Sequence, residues 1–421
     1  MSAYYDALES REPAEREAAL FAVLPQRIAH AQQSTAAGAE ILRDVEPGTV
    51  VDREALARLP VTRKSELLTR QQAGRAQDPF GGFSAIGWRG VAGGHGVRRV
   101  FQSPGTIYEP EGSATDYWRV ARAMHAAGFR AGDLVHNSFS YHLTPAGSMM
   151  ESGAHALGCS TFPGGIGNSE LQLQAMAELR PHAYAGTPSF LKILLDKAEE
   201  AASPLSLTKA LVSGEAFTPS MRHSVRERGV DAYQCYATAD LGLIAYETEA
   251  REGLVLDEGV IVEIVRPGTG EPLPDGEVGE VVVTTLNPDY PLIRFGTGDL
   301  SAVMPGHCPT GRTGRRIRGW LGRADQTTKI RGMFVHPGQV AEIVRRHPEV
   351  LRARLVVSGQ AASAETMLLR AELRGAAPDG LATRLVEAIR DVTKLRGDVE
   401  LLPPGSLPND GKVIEDARNY A

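Results

Sequence analysis

Two neighbouring stretches hold the charged residues whose types and spacing could bind a polar ligand. RFGTGDL spans 294–300 and contains Asp299, and GRADQTTKIRGMFVHPG spans 322–338 and contains Arg323 and Asp325. The chain before these stretches is predicted to form one large α/β body, and the chain after them a small α/β unit. Because clefts between rigid parts are favoured ligand sites, we expect a site at this joint.

Composition is that of an ordinary globular protein. The 421 residues are 42% hydrophobic and 23% charged, with a net charge of −6, and the length allows more than one domain. Nothing in this balance indicates a nucleic-acid partner, and no apolar run approaches the roughly 20 residues that cross a membrane. The polar N-terminus lacks the pattern of a signal peptide. Three cysteines far apart in the chain predict a reducing, cytoplasmic location.

The order of elements predicts an α/β fold with two domains. Residues 1–97 are predicted to form a helical and irregular cap on a large N-terminal domain, 1–322. Strands that alternate with helices predict mixed sheets with helices on their faces, and residues 255–303 add a β-rich, antiparallel subdomain. One helix is expected to begin at Ser113. Residues 323–421 are predicted to form a small α+β domain.

Motifs around the joint resemble those of the adenylate-forming enzymes, the superfamily of acyl-CoA synthetases, peptide-synthetase adenylation domains and luciferases. PLIRFGTGDL (291–300) and GRADQTTKIRGMFVHPGQV (322–340) are similar to PLIRYRTRDL and GRSDDMLIIRGVNVFPSQI of the phenylacetate–CoA ligase branch. The resemblance extends from around residue 98 to the C-terminus. It implies a large adenylate-forming domain, a mobile small domain and a reaction that uses ATP, Mg²⁺ and CoA.

The phosphate-cradling loop of the family resembles the segment SPGTIYEP. Such a loop presents backbone N–H groups and hydroxyls to phosphate oxygens. Ser103, Gly105 and Thr106 retain the family pattern. Tyr108 and Glu109 stand where the family has Gly and Lys, so a carboxylate replaces an ammonium that is expected to face phosphate. A plain turn is the alternative interpretation of this segment.

Further motifs imply the rest of a nucleotide site. VSGEAFTP resembles the segment around the adenine, and YATAD resembles the family's Tyr-Gly-x-Ser/Thr-Glu motif. An acidic side chain at the end of the second motif, here Asp240, can hold Mg²⁺, which prefers hard oxygen ligands. The Asp after GTG is the family's ribose ligand, and the Arg of the hinge phrase pairs with ribose or phosphate. The implied cofactor-binding residues, besides those of the loop, are Ser213, Gly214, Glu215, Tyr236, Thr238, Asp299 and Arg323.

Two more motifs imply an acyl pocket and a catalytic lysine. LVHNSFSYHLTPAG resembles the motif that borders the carboxylate, with Phe139, Tyr141 and His142 as candidates. A hydrogen-bonded structural histidine is the alternative for the last of these. LPNDGKV is similar to the terminal LPRTxxGK pattern, which implies that Lys412 is catalytic. Asp325 matches the family's hinge residue, where the backbone turns between two domain orientations.

Together these expectations describe an AMP-forming acid–thiol ligase. An aryl or small acyl carboxylate would attack ATP to give an acyl-adenylate, and CoA would accept the acyl group, with catalysis resting on positioning and charge stabilisation. Two alternatives stay open: an adenylating enzyme that loads a carrier protein, and a degenerate homologue that binds a nucleotide or acyl ligand without catalysis. The altered loop favours the last alternative, and the presence of Lys412 opposes it. Relatives in this branch suggest a homodimer.

Overall fold

The chain divides into two compact units, Met1–Leu321 and Gly322–Ala421. Each unit has a hydrophobic core of its own. The computed structural model describes residues 3–91, 93–321, 324, 328–331, 333–335, 337–359, 365–408 and 412–418.

Helices dominate the start of the first unit and then alternate with strands. The helices are α1 (Pro13–Ser34), α2 (Ala36–Ile41), α3 (Arg53–Ala57), α4 (Lys64–Gly74), α5 (Ala121–Ala126), α6 (Ala146–Ala156), α7 (Ser169–Leu179), α8 (Pro188–Glu200) and α9 (Pro219–Glu227), with short 3-10 helices at Ala7–Ser10 and Pro47–Thr49. Leu24 and Ile28 of α1 are fully buried with Leu56 of α3 and with Ile261. Within the described ranges, no helix is long and apolar enough to cross a membrane.

Strands of the first unit form two large sheets and one hairpin. They are β1 (Thr62–Arg63), β2 (Arg99–Ser103), β3 (Ile107–Glu111), β4 (Leu134–Asn137), β5 (Ser160–Pro163), β6 (Ala183–Gly186), β7 (Lys209–Val212), β8 (Asp231–Thr238), β9 (Gly242–Glu247), β10 (Leu254–Leu256), β11 (Val260–Val265), β12 (Gly279–Thr285), β13 (Phe295–Ser301), β14 (Val303–Met304) and β15 (Arg316–Ile317). The larger sheet has the order β14-β15-β10-β9-β8-β7-β6-β4-β5, and the smaller has the order β1-β13-β12-β11. The α/β fold with an additional β-rich part, predicted from the sequence, is confirmed.

Strand β8 is the point where the larger sheet changes from parallel to antiparallel pairing. It pairs in parallel with β7 and antiparallel with β9. Parallel strands β4, β6 and β7 are short and almost wholly buried, as expected of strands covered on both faces. In open α/β sheets, ligands bind outside the carboxyl ends of the strands. The segments after β4, β7 and β8 therefore lie at the edge where a ligand is expected.

The helix expected at Ser113 is wrong in its start, because α5 begins at Ala121. Asp116 and Arg119 have left-handed backbones, with φ of 49° and 62°, which a continuous α-helix does not tolerate. The Asp116 carboxylate accepts hydrogen bonds from the N–H groups of Val120 (2.8 Å) and Ala121 (3.0 Å). These bonds satisfy donors at the start of α5 and fix its first residue.

The second unit is a small α+β arrangement. Its elements are β16 (Thr328–Ile330), β17 (Met333–Val335), α10 (Pro337–Arg346), β18 (Val350–Ser358), β19 (Thr366–Leu373), α11 (Leu381–Thr393), β20 (Asp398–Leu402) and β21 (Ile414–Asp416). Four strands form a sheet in the order β20-β19-β18-β21. Leu385 and Ile389 of α11 are buried with Leu369 of β19 in its core. Residues at this spacing lie on one face of a helix.

Candidate active site

The segment predicted to cradle phosphate is the tip of a β-hairpin. Strands β2 and β3 pair as far as Ser103 and Ile107, which leaves Pro104, Gly105 and Thr106 as the loop. Gly105 and Thr106 have φ of 94° and 62°, so the chain turns with left-handed residues at its tip. The loop is exposed or half-buried, whereas Ser103 is buried. The tip of the hairpin is therefore a tight turn whose backbone is at least partly accessible.

A buried charge cluster lies behind this loop. The Ser103 hydroxyl donates a hydrogen bond to Glu109 Oε1, and Lys64 Nζ lies 2.6 Å from Asp240 Oδ2. Glu109 and Asp240 are buried, and burial together with the Asp240 charge raises the pKa of Glu109 to about 8, while Lys64 opposes that shift. Glu109 Oε2 and Asp240 Oδ1 are both buried and have no hydrogen-bond partner within the described part of the chain.

Asp240 occupies the turn between β8 and β9. Thr238 and Gly242 are the last paired residues of that hairpin, and the Thr238 hydroxyl accepts a hydrogen bond from the Leu241 N–H at 3.2 Å. The hydroxyl of Thr238 therefore stabilises the turn that carries the carboxylate. This position at the end of β8 brings Asp240 to the carboxyl edge of the sheet.

Asp299 and Tyr236 meet at the same edge. The Tyr236 hydroxyl lies 2.8 Å from Asp299 Oδ2 and 3.2 Å from the Thr297 hydroxyl. The indole N–H of Trp320 donates to Asp299 Oδ1 at 3.0 Å. Asp299 is only 8% exposed, so these neutral donors fix the direction of a buried carboxylate. Carboxylate oxygens accept more than one hydrogen bond each.

The segment after β7 is held by both neighbours. Ser213 donates its hydroxyl hydrogen to the carbonyl of Cys235 in β8 at 2.8 Å. Glu215 Oε1 accepts the N–H of Ser189 at 2.7 Å in the first turn of α8, where a helix N-terminus favours negative charge. Gly214 has φ of 86°. The contacts of Glu215 and Ser213 position this turn. Because both side chains are engaged in these contacts, the backbone of the turn is the part that could contact a ligand.

The segment after β4 places one predicted pocket residue inside and one outside. Phe139 is buried, and a Cβ on Gly214 would lie 3.7 Å from its ring, so the ring lies beside this glycine. The Tyr141 hydroxyl accepts from Asn137 Nδ2 at 2.8 Å and donates to Glu151 Oε2 at 2.9 Å. His142 is exposed on the turn.

The remaining predicted residues belong to the second part of the chain. Arg323 and Asp325 lie outside the described residues. Lys412 is exposed in the second unit, where its carbonyl accepts a hydrogen bond from Arg354 Nε at 3.1 Å. This bond ties the backbone before β21 to β18.

Sequence reasoning missed Lys64 and Trp320. A signal for Lys64 existed, because it is the first residue of α4, where the helix dipole disfavours a cation. A cation in that position indicates a partner outside the helix. Trp320 carries no comparable signal, since its contact with Asp299 depends on the path of the chain after β15.

Comparisons with known proteins agree with this architecture. Residues 145–287 match the family described as AMP-binding enzyme. The chain is 32% identical to the phenylacetate–coenzyme A ligase of Aromatoleum evansii over 82% of this chain and 79% of that protein. It is also 32% identical to the phenylacetate–coenzyme A ligase of Thermus thermophilus, over 86% of each. A solved 2-hydroxyisobutyryl-CoA ligase, in complex with 2-HIB-AMP and CoA, superposes with a TM-score of 0.81 at 26% identity and covers 100% of this chain and 93% of that one.

Fold and matches define an adenylate-forming, AMP-producing ligase with ATP, Mg²⁺ and CoA as its cofactors and cosubstrates. At 32% identity over most of both chains, this protein belongs to the phenylacetate–coenzyme A ligase family.

Proposed function

We propose that this ATP-dependent acyl-CoA ligase activates its carboxylic acid at the carboxyl end of β8. One observation supports the proposal: β8 contacts the buried carboxylate of Asp299 and leads into the turn that carries Asp240, behind the hairpin loop. Tyr236 near the end of β8 contacts Asp299. Four residues further along, Asp240 lies in the buried cluster that also holds Glu109, which bonds Ser103 of the hairpin. Strand β8 and the turn after it therefore contact both the proposed ribose ligand and the cluster behind the proposed phosphate loop.

The proposed roles of the nucleotide-binding residues follow from these positions. Asp299 accepts hydrogen bonds from the ribose hydroxyls, which are stronger when the acceptor is charged. Tyr236 packs beside the base. The backbone at Ser213, Gly214 and Glu215 surrounds the adenine, and the hairpin tip, with Gly105 and Thr106, faces the phosphates. Thr238 supports the turn of Asp240. Arg323 is proposed to pair with ribose or phosphate.

Asp240 fits a magnesium ligand. Its Oδ1 atom is buried without a hydrogen-bond partner, and a carboxylate oxygen is the kind of ligand Mg²⁺ accepts. The described residues contain no group of three or more His, Cys, Asp or Glu side chains that could hold a metal ion. Mg²⁺ is usually held by one or two carboxylates together with substrate phosphates, so a single protein carboxylate is sufficient. Bound Mg²⁺ would reduce the negative charge of the phosphates.

The acid is proposed to be a small aryl or acyl carboxylate that binds between Phe139 and the Gly214 turn. The aromatic ring lies beside a residue without a side chain, which leaves space for a compact apolar group. Tyr141 is proposed to border the pocket with its ring, because its hydroxyl is engaged by Asn137 and Glu151. His142 is proposed to lie at the pocket entrance.

Lys412 is proposed to stabilise the developing charge between the carboxylate and the α-phosphate. The attack forms the acyl-oxygen–phosphorus bond and releases pyrophosphate, and the CoA thiol then displaces AMP. We propose that the second unit turns about Asp325 between these two steps, so that Lys412 withdraws before the thiol arrives. Domain motions of this kind commonly separate the steps of an enzyme.

Acid-dependent AMP release tests the proposed function. The assay compares phenylacetate, benzoates and 2-hydroxyisobutyrate, with and without CoA, in wild type, Lys412→Ala and Lys394→Ala. Lys394 is the matched control, since its side chain is exposed in the same unit. Loss of one charge-stabilising group typically lowers kcat by about 10²–10³, so Lys412→Ala should lose that much activity and Lys394→Ala none.

The cosubstrate dependence separates the remaining alternatives. Acyl-CoA formed in step with AMP supports the proposal. AMP that forms with an acid but yields no thioester with CoA would favour loading of a carrier protein. Full AMP release by Lys412→Ala would remove the proposed catalytic role of that lysine.

A further inference from the structure

The loop at the tip of the hairpin brings no cation of its own. Between Arg99 and Arg119 the chain contains neither Lys nor Arg. At the position where the family's loop lysine is expected stands Glu109, which is fully buried. A triphosphate carries several negative charges, and phosphate sites usually include a cationic side chain. The cation for this loop must therefore come from another element.

Lys64 lies in the right place to supply it. As the first residue of α4, it reaches Asp240 Oδ2 with Nζ at 2.6 Å, and its charge acts on Glu109. The side chain of Lys64 is 32% exposed, whereas that of Asp240 is 2% exposed. The acid is buried behind the lysine, and the lysine faces outward.

The two acids have more acceptors than the described residues satisfy. Asp240 Oδ1 and Glu109 Oε2 are buried without hydrogen-bond partners there. Buried polar groups of this kind are rare, and each calls for an explanation. The Asp240 carboxylate at 2.6 Å gives α4 a reason to begin with a cation, because this contact opposes the unfavourable helix dipole.

We propose that Lys64 is the phosphate-binding cation of this chain and that Asp240 holds it beside the hairpin loop. The inference rests on the proposed ATP site. It assigns the β- and γ-phosphates to Lys64, because Asp240 lies four residues beyond Tyr236, on the order of 10 Å along the chain from the ribose anchor. In this proposal the positive charge lies on α4, whereas the family pattern has it on the loop.

Arg75 is the rival cation at the loop. Its Nη2 donates to the Thr106 carbonyl at 2.8 Å, and its guanidinium lies 5.3 Å from the centre of the Tyr108 ring. These contacts hold the backbone of the loop. Lys64 instead touches the carboxylate at the carboxyl edge of the sheet, and this difference makes the two residues separable by mutation.

Calorimetric titration with ATP, pyrophosphate and AMP tests the assignment. Lys64→Ala and Lys64→Gln should bind ATP and pyrophosphate at least tenfold more weakly and AMP within about twofold of wild type, because AMP lacks the outer phosphates. Lys209→Ala is the matched control. It removes another lysine–aspartate pair, with Asp133 at 2.7 Å, and should change none of the three affinities. Thermal unfolding checks that each variant is folded.

A second arm moves the charge back to the loop. In the Lys64→Ala background, Glu109→Lys places an ammonium at the family position and should restore most of the lost ATP affinity. Equal weakening of AMP and ATP in Lys64→Ala, or the ATP-specific loss appearing in Arg75→Ala and not in Lys64→Ala, would overturn the inference. Wild-type protein that binds no ATP would instead overturn the proposed function.

Discussion

Two buried ion pairs in the first unit differ in how completely their polar atoms are satisfied. One joins Arg294 to Glu263, and the other joins Lys64 to Asp240. Both acids are buried. Arg294 and Glu263 have the contacts expected of a structural pair, whereas Lys64 and Asp240 belong to the proposed ATP site.

Arg294 is surrounded by acceptors. Its guanidinium makes a bidentate pair with Glu263 at 2.9 and 3.0 Å and donates to the carbonyls of Ala57, Leu59 and Gly270. These partners come from the helical cap and from the β-rich part, so one side chain joins three segments. Each terminal nitrogen has a protein acceptor, and no room is left for a ligand role.

Within the described part of the chain, the pair of Lys64 and Asp240 makes fewer contacts and leaves a buried carboxylate oxygen without a hydrogen-bond partner. A single contact of 2.6 Å joins them, and buried oxygens of Asp240 and Glu109 have no partner in the described ranges. Leaving a buried acceptor unpaired costs about 1–3 kcal/mol. We therefore expect the Arg294–Glu263 pair to stabilise the fold and the Lys64–Asp240 pair to contribute to ATP binding.

The largest effect is expected on the satisfied pair. Arg294→Ala leaves Glu263 buried without its partner and should lower the free energy of unfolding by about 3–5 kcal/mol. Chemical denaturation measures this loss. Arg266→Ala is the control, since Arg266 and Glu271 form an exposed pair at 3.6 Å that contributes about 0–1 kcal/mol. Equal effects of the two mutations would break the comparison.

The next effect concerns Glu109 and pH. Burial raises its pKa from 4.5 to about 8 in the folded state, so the folded protein binds a proton that the unfolded chain releases. Stability from this group is complete below about pH 4.5 and is lost as pH rises through about 8. Denaturation at pH 6 and 8 should show a fall of about 2–3 kcal/mol in wild type from this group that Glu109→Gln lacks.

Asp116 provides the control for that pH effect. Burial raises its pKa to about 6, and hydrogen bonds from Ala121 and Val120 limit the rise. Asp116→Asn should therefore remove a pH dependence between about pH 4 and 6 and leave the window from pH 6 to 8 as in wild type. A Glu109→Gln variant with the wild-type slope from pH 6 to 8 would show that the acid is ionised when folded.

A third effect separates binding from stability. Asp240→Asn keeps the shape of the side chain but removes its charge, and should weaken binding of Mg²⁺–ATP at least tenfold, about 1.4 kcal/mol. Titration with ATP in the presence and absence of Mg²⁺ measures this change. Asp275→Asn is the control, because Asp275 is exposed and pairs with Arg315. Unchanged dependence on Mg²⁺ in Asp240→Asn would remove its proposed role as a ligand.

The fold was largely predictable, because local patterns determine its elements. The βα alternation from Leu134 onward, the β-rich part and the α+β end of the chain all correspond to structure. The start of α5 was not predictable, since it depends on left-handed backbone at Asp116 and Arg119.

The candidate site divides in the same way. Motifs identified Asp240 and Asp299 from residues close in sequence. Motifs could not identify the partner of Asp240, because Lys64 is 176 positions away in the chain and contacts it only through tertiary packing. Glu109 was recognisable as a departure from the loop pattern, but its burial against Ser103 depends on the hairpin register.

Asp299 is a buried carboxylate held by neutral hydrogen-bond donors, unlike the acids of the two ion pairs. Substitution of Trp320 tests the importance of one of these donors. Each of its oxygens receives one neutral donor, from the Tyr236 hydroxyl and the Trp320 indole. Trp320→Phe keeps an aromatic ring but removes the N–H, so the carboxylate loses one of the bonds that orient it.

A neutral hydrogen bond contributes about 0.5–1.5 kcal/mol, so the affinities for ATP and AMP should both fall by about threefold to tenfold in Trp320→Phe. Both nucleotides carry the ribose, whereas only ATP carries the outer phosphates assigned to Lys64. Trp88→Phe is the control, since that ring packs edge-on against Phe80. Loss confined to ATP would place Trp320 with the phosphates and would contradict its role in orienting the ribose anchor.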